Sequence, residues 1–533
     1  MARGRADRKF ELSRREFLVT TGGALAGMAA FGLVGQAAAG KRHPQRGGTL
    51  NYGSRTDVAG LDAHRHNQNH QIHATAAMFN GLTDIDQQGN LVPSLAESWE
   101  SNQELTAWTF RLRKGVLFHN GREFDAEAVK LNMLRIQDPA IGHDFIRGGL
   151  ENVDSVDVLD KYTVRINAKV PDAALPTSIM RYPIILMAPD AFETAAERPM
   201  GTGPFKFVSW TRWNETRLVR FENYWETDAE GHSLPYLDEI IAKPKREDSV
   251  RLTALRTGQV HFIDDMAQAD VERFTKEHGA KFNTWRWHSG GNYIVFNWRR
   301  GVFQDKRLRT AAAHAIDRQA VHHVVYYGQG EILDQCFPRG DPWHLEGIHG
   351  LEYDPDKAKA LLREARAVGT AVKIIANMNT ALARETVQVI QEAWDAVGLK
   401  TTLDLLDTAP FTAASREGAF DGRFGGYTYR YEPNDFYARN LHSQSEWNKS
   451  NSGWHNERYD RLVEEAKRTV DMARRKELYT EAQNIINVEL PHFHLHDVVR
   501  TSAAVKALRG YQPGLGGALT YQGGGLRTAY MAT

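Results

Sequence analysis

The chain has 533 residues, more than one core of typical size encloses, so two or three lobes are expected. Lys plus Arg and Asp plus Glu both number 66, and beyond Gly40 the balance is 60 to 63, which excludes a global charge bias towards nucleic acid or anionic lipid. Cys336 is the single cysteine, which excludes an intrachain disulfide and a multi-cysteine metal knot, and its thiol reads as buried or idle.

Ser13-Arg14-Arg15-Glu16-Phe17-Leu18 follows the twin-arginine export pattern, and a weakly apolar Gly/Ala-rich run extends from it to Gly35. Ala37-Ala38-Ala39 offers small side chains to a signal peptidase, so residues 1–39 read as a signal peptide cleaved after Ala39 into the periplasm. The competing reading is a retained anchor, because no charge occurs between Glu16 and Lys41 and that span is long enough to cross a bilayer. Its Gly and Thr content and its small-residue exit site favour removal. No other long apolar run occurs, so the mature chain is expected to be soluble.

Gly47 to Gly53 reads as a first strand. His64, His66, His70 and His73 follow in HRHNQNHQIH, and positions 66, 70 and 73 share one face if the segment is helical. Neutral imidazoles there suit Ni, Cu or Zn, whereas Asn67, Gln68 and Asn69 suggest a polar loop with incidental histidines. Thr106 to Arg113 alternates apolar and polar residues as a half-buried strand does, Asn120-Gly121 is a turn, and Asp125 caps a helix from Ala126. Met200-Gly201-Thr202-Gly203-Pro204-Phe205 is a tight backbone bend; it has no GK[ST] and no helix signal after it, so it is not read as a phosphate cradle. Val250 to Thr257 reads as a helix stopped by Gly258, and Tyr293-Ile294-Val295-Phe296 as an apolar strand. Asp305 and Asp354 start helices, the second with Pro355 at its first position, and Asn456 starts another. Phe493 to His496 reads as a late strand with His494 and His496 on one face.

AESWE, an aromatic strand and LRKGVLFHNGREFDAEAV together resemble a signature of the family 5 solute-binding proteins, extracytoplasmic receptors of peptide, nickel and related ABC importers. Met78-Phe79-Asn80-Gly81-Leu82-Thr83, the Gly201–Phe205 bend, Pro235 to Ile240 and Ala315-Ile316-Asp317-Arg318 are similar to further family patterns, and the resemblance spans about residues 47 to 500. Leu61-Asp62-Ala63 stands where the family usually has Leu-Asp-Pro. The resemblance implies a mixed α/β, type II periplasmic-binding-protein fold: two large lobes joined by a two-strand hinge, plus a small extra domain. The expected boundaries are 41–85, 200–292 and 497–533 for lobe I, 86–199 for lobe II and 293–496 for lobe III.

It also implies where a ligand sits. Asn67 and Asn69 border the cleft by position, and strands at Tyr293 and at His496 cross between the lobes. Trp287, like Trp285, is either a core residue or an aromatic cleft wall. In peptide-binding relatives an aspartate three residues before a Glu/Asp-Pro pair holds the ligand's ammonium group. Here Tyr427-Thr428-Tyr429-Arg430 precedes Tyr431-Glu432-Pro433, so that position is Tyr429, beside Arg430. A phenol is no counter-ion near neutral pH, whereas Arg grips carboxylates, which favours an acidic, blocked or glycosylated ligand over an ordinary peptide.

The function implied is capture of a peptide or peptide-like solute by lobe closure, with delivery by a monomer to ABC permease subunits, its only route to the membrane. No cofactor, no metal and no catalytic group is required. A metal-chelate, opine or oligosaccharide receptor is the alternative, and an exported metal-dependent hydrolase is the rival class. The chain has no HExxH, no GxSxG and no paired Cys, against that rival.

Overall fold

The computed structural model describes residues 44–66, 74–180, 184–378 and 381–532. The signal-peptide reading of residues 1–39 therefore falls outside the described residues, as do Asn67, Asn69, His70 and His73. Among the described residues no helix is long and apolar enough to cross a membrane.

The strands that position the cleft are, in chain order, β1 (Thr49–Ser54), β2 (Ala96–Ser101) and β3 (Ala107–Leu112). After helix α1 (Ala126–Gln137) come β4 (Val153–Asp160) and β5 (Thr163–Ala168). Next are β6 (Phe205–Thr211), β7 (Glu215–Arg220), β8 (Glu239–Pro244), β9 (Phe262–Ile263) and β10 (Phe282–Phe296). The second half holds α2 (Lys306–His314), α3 (Pro355–Glu364), β11 (Ala371–Asn377), α4 (Ala381–Val397), β12 (Lys400–Leu406) and β13 (Gly422–Thr428). It ends with α5 (Asn434–Leu441), α6 (Glu457–Lys467), α7 (Met472–Glu489) and β14 (His492–Val505).

The helix starts follow from local chemistry. Side chains of Asp125, Asp305, Asp354 and Asn456 each accept a hydrogen bond from an N–H of the first turn, satisfying a donor the helix itself cannot. Amphipathic faces then bury against the strands: Leu308, Ala312, Leu362, Val387 and Trp394 close one core over β11.

One ten-stranded sheet runs through both halves in the order β12-β11-β13-β10-β14-β9-β1-β8-β7-β6. A separate antiparallel sheet, β2-β3-β5-β4, packs on α1 with its own apolar core. Only β10 and β14 are long enough to serve both halves: β10 pairs with β13 near its C-terminal end, and β14 pairs with β9 near its own. They pair with each other antiparallel along their length, except for register shifts between His288 and Gly291 and between Asn292 and Tyr293. The apolar Tyr293–Phe296 run expected from sequence is thus the end of a 15-residue strand.

The Gly201–Phe205 bend is structural. A Cβ at Gly203 would lie 2.4 Å from the Met78 carbonyl carbon and 2.5 Å from the Ala77 oxygen, so no side chain fits. His119 clamps the bend: one ring nitrogen meets the Gly203 carbonyl at 2.9 Å, and the other accepts the Gly201 N–H at 3.3 Å. That pairing needs a neutral imidazole, and burial lowers the His119 pKa to about 4.

Candidate functional site

The loop after β13 and the exposed face of α5 make one wall of a cavity of about 700 Å³, a size suited to a small solute. Tyr429, Arg430 and Tyr431 come from the loop, Asp435 and Arg439 from the helix, and His442 from the extended residue that ends it. Asp435 and Arg439 stand at i and i+4, so one helix face carries both. The facing wall comes from the small-sheet unit: Asn152 before β4, the Lys169–Asp172 turn after β5, and Met180. The two walls touch where the Ala173 N–H donates to the Lys467 carbonyl at the end of α6, at 2.8 Å.

The loop is held rigidly from behind. Glu432, 2% exposed, accepts hydrogen bonds from Arg475, whose guanidinium also lies 4.7 Å from the Trp343 ring centre. Burial raises the Glu432 carboxyl pKa, and Arg475 opposes the shift. The Tyr429 hydroxyl donates to Asp341, so burial and that carboxylate both push the phenol pKa well up. Tyr429 is therefore a neutral aromatic wall whose proton is already committed. Beside it the Asp435 carboxyl pKa is raised by burial and opposed by the charges of Arg430 and Arg439. Arg430 and Arg439 thus flank the Asp435 carboxyl in a mixed-charge lining that also holds Lys169, Asp172, Glu464 and Lys467.

Of the residues singled out in the sequence, the structure brings Tyr429 and Arg430 to this cavity. Four others face elsewhere. Tyr293 is fully buried, stacked on His492 at 4.4 Å and on Tyr427 at 5.9 Å. Tyr427 donates its hydroxyl to the Cys336 carbonyl at 2.5 Å inside the same core. Trp287, 7% exposed, donates its indole N–H to Ser502 at 2.9 Å, the core alternative of its two readings, and Trp285 packs edge-on against Tyr511. His496 is fully buried, stacked on Tyr326 at 3.9 Å and 2.7 Å from a His322 nitrogen; burial lowers its pKa to about 4. At Tyr293 and His496 the strands are covered on both faces and bury odd and even positions alike, so period two does not separate cleft from core. Tyr427 and Trp287 instead lie on the buried side of strand segments whose adjacent residues are exposed or half-buried. His494 is buried for the same reason as His496, while Thr428 is exposed and pairs with Gly290.

The histidine run divides. His64 is fully buried between the Ile185 carbonyl and Arg135, each 2.9 Å away, and Arg135 also grips Asp62 at 2.6 Å. His66 is partly buried, its ring against Gly60. Among the described residues, the group with metal-ligand spacing is Asp228, Glu230 and His232, which involves none of that run.

The contributions of the small-sheet unit (Asn152, Lys169, Asp172) and of the α5 face are not evident from the sequence expectations above. The i, i+4 spacing of Asp435 and Arg439 after Pro433 is a usable signal. The Lys169–Asp172 turn carries none, because a polar surface turn looks the same whatever it faces.

A single sheet crossed by two long strands, with a smaller sheet unit packed beside it, is the type II periplasmic-binding-protein fold. The chain belongs to the bacterial extracellular solute-binding proteins, family 5, whose middle-region model matches residues 90–449, and it is a substrate-binding component of an ABC importer. It is 28% identical over 469 residues to a di/tripeptide-binding protein of Pseudomonas aeruginosa, covering 81% of this chain and 86% of that one. It is 26% identical over 468 residues to a glutathione-binding protein of Pectobacterium atrosepticum, covering 85% and 89%. A solved Helicobacter pylori periplasmic binding protein, in complex with the peptide STSA, superposes with a TM-score of 0.77 at 22% identity, covering 92% of this chain and 99% of that one.

Proposed function

We propose that the protein captures a peptide or peptide-like solute bearing an anionic or blocked end, and hands it to an ABC permease. The observation that carries this reading is the cavity of about 700 Å³ with Tyr429 and Arg430 in its wall. The names of the relatives, di/tripeptide-binding and glutathione-binding, support the peptide part. The anionic end rests on chemistry: the Tyr429 phenol is committed to Asp341, and Arg430 and Arg439 present donors in forks that match carboxylate oxygens.

In this reading the lobes are 41–85, 200–292 and 497–533; 86–199; and 293–496, with β10 and β14 as the hinge. A ligand bridging the walls stabilises the closed arrangement, because only there does it meet both. The protein acts as a monomer in the periplasm, reached by the twin-arginine route with cleavage after Ala39, and performs no catalysis. Metal-chelate, opine and oligosaccharide ligands are the other solutes to test.

Thermal-shift measurements on residues 40–533 with dipeptides, tripeptides, glutathione, N-acetylated acidic peptides, opines and nickel chelates discriminate these readings. A true ligand at 100 times its Kd stabilises by about 2.7 kcal/mol. Stabilisation by acidic or blocked peptides is expected, and its absence with every peptide overturns the substrate class. N-terminal sequencing of the protein from the periplasmic fraction tests the cleavage.

A further inference from the structure

The turn at Leu515–Gly517 belongs to one half of the molecule by attachment and to the other by contact. Its flanks are fastened to the half built on β1 and β8. The Gln522 N–H donates to the Ile85 carbonyl at 3.0 Å, and fully buried Arg527 binds Asp84 and, at 2.9 Å, Glu226. Leu508, Tyr511 and Leu526 join the apolar core around Leu50 and Tyr52.

The turn itself reaches the loop that walls the cavity. The Tyr431 hydroxyl donates to the Leu515 carbonyl at 2.7 Å. Gly516 has φ +66°, and a Cβ there would lie 2.9 Å from both the Tyr429 ring and the Tyr431 hydroxyl. At Gly517 a Cβ would lie 2.4 Å from the Trp287 ring on β10. Backbone fits between these aromatics only because side chains are absent. Tyr429 and Tyr431 bury each other with Ile85, Met180 and Tyr521, and Leu515 packs against that cluster. On the opposite side the same loop is pinned by Asp341 and Arg475, which belong to the other half.

We propose that the Leu515–Gly517 turn is a latch between the two halves and the positioning element for Tyr429 and Tyr431. Any motion at β10 and β14 that parts the halves separates Tyr431 from Leu515 and opens the cluster. The tyrosine wall of the cavity is therefore complete only when the latch is made. The turn is not among the residues lining the cavity, so it acts through the two rings.

The inference rests on the two-lobe reading above but not on any ligand, and its test uses none, so the two fail separately. Amide hydrogen exchange is followed by mass spectrometry on the full chain as wild type, Tyr431→Phe and Gly516→Ala, alongside thermal unfolding. Tyr431→Phe keeps the ring and removes one neutral hydrogen bond, so exchange across 427–433 and 514–518 should accelerate roughly fivefold in the unliganded protein. Gly516→Ala should do at least as much, while exchange at 282–296 and at 524–530 stays at wild-type values in both variants. The melting temperature of Tyr431→Phe falls by no more than the loss of one hydrogen bond accounts for. Unchanged exchange in both variants overturns the latch. Acceleration spread over the whole tail with a melting temperature lowered further than that also overturns it, since the turn would then be an ordinary part of the tail's packing. Tyr431→Phe decides the matter if Gly516→Ala fails to fold.

Discussion

His492 is fully buried between the rings of Tyr293 and Trp447, and replacing it by Phe should make the protein less sensitive to acid. Neither ring nitrogen has a hydrogen-bond partner among the described residues, and burial holds its pKa well below the usual 6.5. The imidazole is thus neutral when folded, while in the unfolded chain it takes a proton below about pH 6.5. A depressed folded pKa means stability fully present above about pH 6.5 and lost progressively as pH falls below it. Each pH unit in that window costs about 1.4 kcal/mol for one such group, so moving from pH 7.5 to 5.5 costs about 1.3 kcal/mol. Carboxyl groups whose pKa burial raises, among them Asp264, Glu432 and Asp497, respond in the opposite sense, but they are common to both proteins and cancel in the difference. With about 2.1 cal/mol/K per residue, the differential shift in melting temperature is about 1 °C if the whole folded unit melts together, and about 3 °C if a roughly 200-residue lobe melts alone. Calorimetric melting of wild type and His492→Phe at both pH values reads it directly. Melting temperatures that fall in parallel would refute the claim that His492 is neutral and unprotonatable in the fold.

Other consequences follow from single contacts. Arg475→Met should destabilise by about 3–5 kcal/mol in thermal unfolding, because it strands the buried Glu432 carboxylate, and adding Glu432→Gln should recover part of the loss. Gly203→Ala should cost roughly 1–3 kcal/mol or more, since the new Cβ meets backbone atoms of Ala77 and Met78 that have no rotamer to change. Arg430→Ala should weaken an acidic or blocked peptide by about 1.5–3 kcal/mol in calorimetric titration, whereas unaltered affinity would remove Arg430 from the site.

The family signature, several helix starts and the turn chemistry are legible along the chain. The stretch from Leu91 to Val129 carries residues whose roles are local: Asp125 caps α1 and Asn120-Gly121 turns the chain, whatever surrounds them. Such features depend on neighbours a few positions away, so their pattern is written in order along the chain. The Gly201–Phe205 bend was legible for the same reason, although its clamp by His119, 84 residues before Gly203, was not.

Which side of each element meets the cavity depends on long-range packing. Tyr427 and Tyr429 stand two residues apart, yet one hydroxyl is spent on Cys336 in the core and the other on Asp341 at the wall. His496 and Tyr293 look like cleft residues on a crossing strand, but both faces of β10 and β14 are covered there. The cavity is assembled from a turn near Asp172, a helix face near Arg439 and a loop at Arg430, brought together by a sheet whose register shifts at the crossing. Contacts separated by more than 250 residues leave no periodicity in the sequence, because each partner keeps its local pattern whichever way the other approaches. Composition and spacing therefore carry the scaffold of this receptor, while the lining of its cavity is a property of the folded chain.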